Sequence, residues 1–230
     1  MKSPRNLTDL AFASGLRPFD DAFEVDGDYD RIRFDSATFA DATAGGSRIT
    51  ESGFTGVTLD GGGMRRARLS EVWFGESRLV AFDLAESSLT DVWFSGCVFA
   101  GVQAFTVTTR RVTFRDCKLD SVNFRDSRLT DVLFEDCVLR DVDFGSAKLT
   151  RVRFPGCTLS GTDFTKATCS EVDLRRARLG AGGAGGAGDA LDAGIRAGFD
   201  SLRGVRIDTL QLMTLAPLLA HHLGITVADD

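Results

Sequence analysis

The residues best able to do chemistry are few and regularly placed. Five cysteines stand at Cys97, Cys117, Cys137, Cys157 and Cys169. Thiolates bind zinc or carry redox chemistry when two converge, as in a C-x-x-C pair. No such pair is present, and the first four cysteines are twenty residues apart. That spacing suits one small inward slot refilled at each turn of a coil, where free cysteine behaves as a small hydrophobe. The two histidines, His221 and His222, are adjacent, and adjacent helical residues do not converge on one metal or one proton. The glycine-alanine run at 180–188 lacks the G-x-x-x-x-G-K-[ST] order of a phosphate loop. These residues point to no catalytic group, no cofactor and no metal site, so the chain reads as a non-enzyme.

Carboxylates are the other reactive class. The chain has 33 Asp and Glu against 27 Lys and Arg, a net charge of −6. Residues 1–30 carry 3 basic and 7 acidic groups, and residues 181–230 carry 3 and 6. The intervening 150 residues carry 21 and 20, close to neutral. Within them Asp116, Asp126, Asp131, Glu135, Asp136, Asp141 and Asp143 cluster in sequence. They are the candidate contact for a basic partner. The first sixteen residues have no long apolar run, and no stretch reaches the ~20 apolar residues of a membrane span. A cytoplasmic protein without membrane contact is expected.

What positions these residues is a period of five. Large apolar residues recur at Phe34, Phe39, Ile49, Phe54, Leu59, Met64, Leu69, Phe74 and onward through Phe164, Cys169, Leu174 and Leu179. Two positions before each sits a small or β-branched residue, such as Val112, Cys117, Val122, Ser127 and Val132. Five matches neither the helical nor the strand period. A chain that turns a corner every five residues satisfies it, with two side chains inward and three outward. The 18 Phe against 2 Trp and 1 Tyr fit a repeated slot of one shape. The frame weakens at 100–111, where Ala104 and Thr109 hold central positions, and at 42–46 around Ala44. A locally distorted coil is expected at the first of these.

Stretches such as CKLDS-VNFRD-SRLTD-VLFED-CVLRD-VDFGS, Cys117 to Ser146, resemble the pentapeptide-repeat family, whose unit is usually written A-[DN]-L-x-x. The resemblance spans Ile32 to Leu179. It implies an all-β, right-handed quadrilateral β-helix, a solenoid with four repeats per coil, followed here by a C-terminal α-helix. Residues twenty apart then stack, and Phe34, Phe54, Phe74, Phe94, Phe114, Phe134 and Phe154 form one column. Seven to eight coils spaced like hydrogen-bonded strands make a rod about 36 Å long.

Four segments follow: an N-terminal cap at 1–30, the β-helix at 31–180, a Gly/Ala-rich linker at 181–188, and a C-terminal cap with a dimerisation helix at 189–230. Asn6 to Ser14 suggests a short helix, with Phe12, Phe19 and Phe23 placed to cover the first coil. Leu202, Val205 and Ile207 have the spacing of one last coil edge. Asp208 and Gln211 read as a capping box and Gly224 as the helix stop. Pro217 is expected to kink or split the helix. Its apolar stripe is Leu212, Met213, Leu215, Ala216, Leu219 and Leu223, while Leu210 and Leu218 lie off it. Leu210, Leu218, His221 and His222 are thus the candidate dimer contact, with an intramolecular cap, Leu218 beneath Phe199 or Leu202, as the alternative.

This segment is similar to the C-terminal helix of the mycobacterial fluoroquinolone-resistance branch of the family. That resemblance implies a homodimer joined end to end, and a partner that is DNA gyrase or another type II topoisomerase, bound by DNA mimicry without direct contact to nucleic acid. It also implies a link to quinolone resistance. A near-neutral rod is a departure from mimicry and points instead to a protein-interaction scaffold with another partner. An accessory domain of an enzyme is a third reading.

Overall fold

Every fifth residue from Asp26 to Arg176 lies in the left-handed region, with φ between +44° and +74°. Asp, Ser and Gly fill many of these corners, yet Arg31, Arg111, Glu71 and Lys166 occupy others. For an L-residue this costs about 1–2 kcal/mol. The compensation is visible in the backbone. The corner amide donates to a carbonyl one coil ahead, as in Asp116 N to Glu135 O (3.0 Å) and Asp141 N to Ser160 O (2.9 Å). The turn that bends the chain thus also ties it to its neighbour.

The computed structural model describes residues 4–180 and 194–227, so the linker expected at 181–188 lies outside the described residues. Repeated corners wind the chain into a parallel β-solenoid of about eight coils, ending in one helix, α1, Thr209–His222. Strand pairing is parallel and offset by twenty residues, from Phe34↔Phe54 to Leu159↔Leu179. Four sides result. Side 1 carries the centres Phe34 to Leu174, side 2 Phe39 to Leu179, side 3 Ala44 to Phe164, and side 4 Tyr29 to Cys169.

The core is the set of inward columns. Rings on side 1 stack from Phe34 to Phe154 with centroids 4.1–4.9 Å apart and planes within 18°. Each inward Phe or Leu contributes roughly 1.5–3 kcal/mol of transfer free energy. The coil at 100–111 is not distorted: Thr108–Arg115 pairs in full register on both sides. The backbone ladder holds the coil whatever fills it. The small centres show up instead as a cavity of about 20 Å³ lined by Leu84, Phe94, Phe99, Phe124 and others. Thr109 lines it too, and its Oγ1 has no hydrogen-bond partner.

Both ends extend the rod beyond the expected bounds. Asp28–Asp30 pairs with Arg48–Thr50, so the first strand of side 4 lies inside the segment read as a cap. Arg17–Pro18 adds a further strand beside Ile32–Arg33. Phe23 stacks on Phe34 at 5.2 Å and Phe19 packs beside them. Phe12 does not join them, being buried beside Arg31, Glu51 and Glu71. The expected N-terminal helix is two 3-10 turns, Leu7–Asp9 and Ala13–Gly15. This arm lies outside side 1: Leu7 and Leu16 close over Gly53, and Arg115 Nη1 donates to Pro4 O at 2.7 Å.

At the far end Ile195 pairs with Thr162 and Arg206 with Asp173. Both offsets are 33, one coil of twenty plus thirteen inserted residues. In this register Leu202, Val205 and Ile207 fall over Cys169, Val172 and Leu174, and all three pack on the core. They are the last coil edge that their spacing suggests.

Phe134→Ala is expected to cost roughly 3–5 kcal/mol, because neighbouring coils cannot collapse into the void. Arg140→Ala, on an exposed ion pair with Asp120, is expected to cost less than about 0.5 kcal/mol. Thr109→Val removes an unsatisfied buried hydroxyl at constant shape and is expected to stabilise by about 1 kcal/mol or more. Denaturant midpoints of the three variants check the assigned facing. A Thr109→Val midpoint below wild type would contradict it.

Candidate interaction surfaces

The inward slots are filled by packed core side chains. Cys97, Cys117, Cys137 and Cys157 are buried free thiols. Their Sγ atoms donate to the carbonyls of Phe74, Phe94, Phe114 and Phe134 at 3.4–3.5 Å. Neighbouring sulfurs of the ladder, and then burial, push the Cys137 and Cys157 thiols well above their ordinary pKa. Cys169 is only half-buried, and burial raises it to about 11. Among the described residues no three His, Cys, Asp or Glu side chains come together as metal ligands.

The seven clustered carboxylates do not form one surface. Corner positions send Asp126, Asp131, Asp136 and Asp141 to four different edges of the rod, and Asp116 joins Asp136. Clustering in sequence becomes dispersal in space, because five residues turn the chain through one corner. Four of the seven are also ion-paired: Asp131 with Arg151 (2.6 Å), Glu135 with Arg115 (2.7 Å), Asp143 with Arg125 (3.0 Å) and Asp141 with Arg196 (3.7 Å). The Arg151 hydrogen bond holds Asp131 below the usual carboxylate pKa. Asp116 and Asp136, twenty apart on one edge, are the acidic pair left without an ion pair among the described residues.

From Arg48 onward the outward charges of side 4 are of the other sign, whereas Asp28 and Asp30 stand in the same two columns at the N-terminal end. Arg48, Arg68, Ser88, Thr108, Arg128 and Lys148 form one column. Thr50, Ser70, Thr90, Arg110, Thr130 and Thr150 form the column beside it. The five cations are exposed, and none makes an ion pair among the described residues. Sequence reading passed over them because they lie twenty or more apart along the chain. Adding charges by column would have found them.

The helix α1 docks by a polar anchor. Asp208 caps it as expected: Gln211 N donates to Asp208 Oδ1 (3.0 Å) and Asp208 N to Gln211 Oε1 (2.9 Å). Gln211 is buried and its Nε2 donates to the carbonyls of Leu174 (2.5 Å) and Ala177 (2.6 Å). The open coil end presents carbonyls that need donors, and apolar periodicity cannot register that need. The helix is therefore rotated from the expected stripe. Gln211, Leu215, Leu218 and Leu219 face the rod, while Leu212, Met213 and Leu223 face outward.

Of the candidate dimer residues, Leu210 is 75% exposed and His221 is exposed. Leu218 instead packs, partly buried, against the core. His222 turns toward the rod, with Nε2 3.1 Å from Asp200 and its ring beside Phe199. Pro217 does not split α1, which runs unbroken to His222 before Gly224 at φ +70°. Pro217 lies on the exposed side, where the carbonyl that loses its donor is open to water. Leu210, Leu212, Met213, Leu223, Ile225 and Val227 are outward apolar side chains of this terminal segment, each at least half exposed.

The sequence profile of the pentapeptide repeat region matches residues 47–124 and 107–181, more than half of the chain. The chain belongs to the pentapeptide-repeat family. No curated protein matches it in sequence. Among solved structures it is similar to HetL, a pentapeptide repeat protein involved in heterocyst differentiation regulation from the cyanobacterium Nostoc sp. strain PCC 7120. That match has 16% identity, covers 85% of this chain and 93% of HetL, and has a TM-score of 0.47. QnrB1, a plasmid-mediated fluoroquinolone resistance protein, matches at 21% identity over 92% of this chain and 96% of its own, with a TM-score of 0.42. At such identities the likeness concerns the fold alone.

As a pentapeptide-repeat solenoid the protein has one test of facing that costs no mutation. A thiol reagent is expected to label Cys169 slowly and to leave the four ladder cysteines unmodified until denaturant is added. Rapid labelling of all five in the native state would contradict the inward ladder.

Proposed function

We propose that this pentapeptide-repeat protein acts without catalysis, as a binding rod for another protein, and that it dimerises through α1. The observation that carries the proposal is the outward apolar segment from Leu210 to Val227, with six large side chains half exposed or more. Such patches on a soluble chain mark contacts. A two-fold contact there would bury them and shield the last coil edge from strand addition. Free, buried cysteines fit a reducing compartment, and the cytoplasm is the location we assign. Light scattering is expected to give about twice the chain mass of 24.8 kDa. Leu210→Glu with Met213→Glu is expected to halve that mass and leave the melting temperature of the rod unchanged. A wild-type monomer at micromolar concentration would overturn the dimer.

The finer reading of the partner is a type II topoisomerase such as DNA gyrase, held by DNA mimicry and linked to quinolone resistance. It draws on the family resemblance, and the exposed pair Asp116 and Asp136 supplies the acidic edge that it requires. The dispersal and ion pairing of the other carboxylates favour a scaffold with a different protein partner. Gyrase supercoiling with purified protein, with and without a fluoroquinolone, separates the two. Inhibition or protection that is lost on reversing Asp116 and Asp136 to Lys supports the topoisomerase. No effect at large excess retires it and leaves the scaffold.

A further inference from the structure

We infer that side 4 is a binding face for the phosphate backbone of nucleic acid. This departs from the expectation, drawn from family resemblance, that nucleic acid is not contacted directly. It is independent of the contact proposed for α1. The paired strands place Arg48 beside Arg68, and Arg128 beside Lys148, with Arg110 on the neighbouring column between them. Successive coils rise about 4.8 Å, so the five cations span roughly 24 Å along the rod. Over that length a duplex presents one charge per ~1.7 Å of axis, counting both strands, so phosphates are dense enough to meet every cation.

Between Arg48 and Thr150 the remaining outward positions of this face are hydroxyls, Thr50, Ser70, Ser88, Thr90, Thr108, Thr130 and Thr150, and Asp28 and Asp30 close the N-terminal end of the two columns. Ser and Thr are donors to phosphate oxygens, and backbone contacts of this kind position a nucleic acid without reading its sequence. No aromatic side chain lies on this face, so it offers no platform for base stacking. Binding is therefore expected to be indifferent to sequence.

The net charge of −6 opposes polyanion binding only weakly here. Of the carboxylates on the two flanking corners, Glu51, Asp91, Asp131 and Glu86 are engaged by Arg31, Arg111, Arg151 and Arg65. Asp26, Glu71, Asp126 and Glu171 on the same corners make no ion pair among the described residues. Most of the excess acid sits in residues 1–30 and 181–230; of it Asp28 and Asp30 adjoin Arg48 and Thr50 at one end of the face, and at 0.1 M salt charges beyond about 10 Å are screened. Among the described residues the column cations have no ion pair to give up on binding.

The test is fluorescence anisotropy of a labelled duplex and of a labelled single strand with the full chain, titrated against salt. Five phosphate contacts predict a slope of log K on log salt of about −4.5 for the duplex and about −3.5 for the single strand. Affinity for the duplex then falls about 500-fold between about 50 and 200 mM salt. A variant with Arg48, Arg68, Arg128 and Lys148 all changed to Gln keeps only Arg110, and its slope is expected to be about −1. A control of equal charge changes Arg78, Lys118, Arg140 and Arg178 on side 2 to Gln and is expected to retain binding. Circular dichroism confirms that both variants are folded. No binding at the lowest salt would overturn the inference, as would equal weakening by the two variants. Competition by polyglutamate as effective, charge for charge, as nucleic acid would assign the face to an acidic polypeptide instead.

Discussion

Main-chain hydrogen bonds between coils are the interaction on which the rest of this molecule depends. A corner residue at positive φ is unfavourable by itself, and it persists because its amide is held by the coil ahead, as Asp126 N is by Gly145 O at 2.9 Å. The same bonds fix the register at twenty. Fixing the register decides which side chains meet, since Phe74 can stack only on Phe54 and Phe94. Packing follows from the ladder here and does not set it. The coil at 100–111 shows this, because it keeps its full pairing although Ala104 and Thr109 leave the interior underfilled.

Much of the fold was legible in the sequence, because the period of five is a repeated physical requirement. Phe34, Phe54 and their successors, the cysteine ladder, and the return of Leu202, Val205 and Ile207 could be placed without coordinates. So could the Asp208–Gln211 box. What escaped were the demands that a coil makes on polar groups. Gln211 takes a buried helical position because carbonyls at the open end need a donor, and Leu218 turns inward with it. The start of the rod was missed as well, since Tyr29 fills a central slot usually held by Leu or Phe and Asp28–Asp30 looks like loop.

The candidate site was the least legible part, for a geometrical reason. Neighbours in sequence diverge around the rod, whereas neighbours in space are twenty apart. Asp126, Asp131, Asp136 and Asp141 looked like one patch and occupy four edges. Arg48, Arg68, Arg128 and Lys148 looked scattered and share one column. Ion pairs run the same way: Asp91–Arg111 and Asp131–Arg151 join successive or nearby coils along one edge. They neutralise part of the corners, and the flat of side 4 is positive from Arg48 to Lys148. Among the described residues that basic face and the apolar side of α1 are outward features without a partner, and both lie where a second molecule can reach them.

If the inter-coil ladder governs the structure, the rod opens coil by coil from its ends. Native-state hydrogen exchange, resolved to single amides, tests this most directly. The prediction is that amides on all four sides of one coil exchange together, with protection greatest in the middle coils around Phe94 to Phe134 and falling toward both ends. Protection that followed one side along the whole rod, with another side exchanging freely and no gradient along the axis, would contradict it.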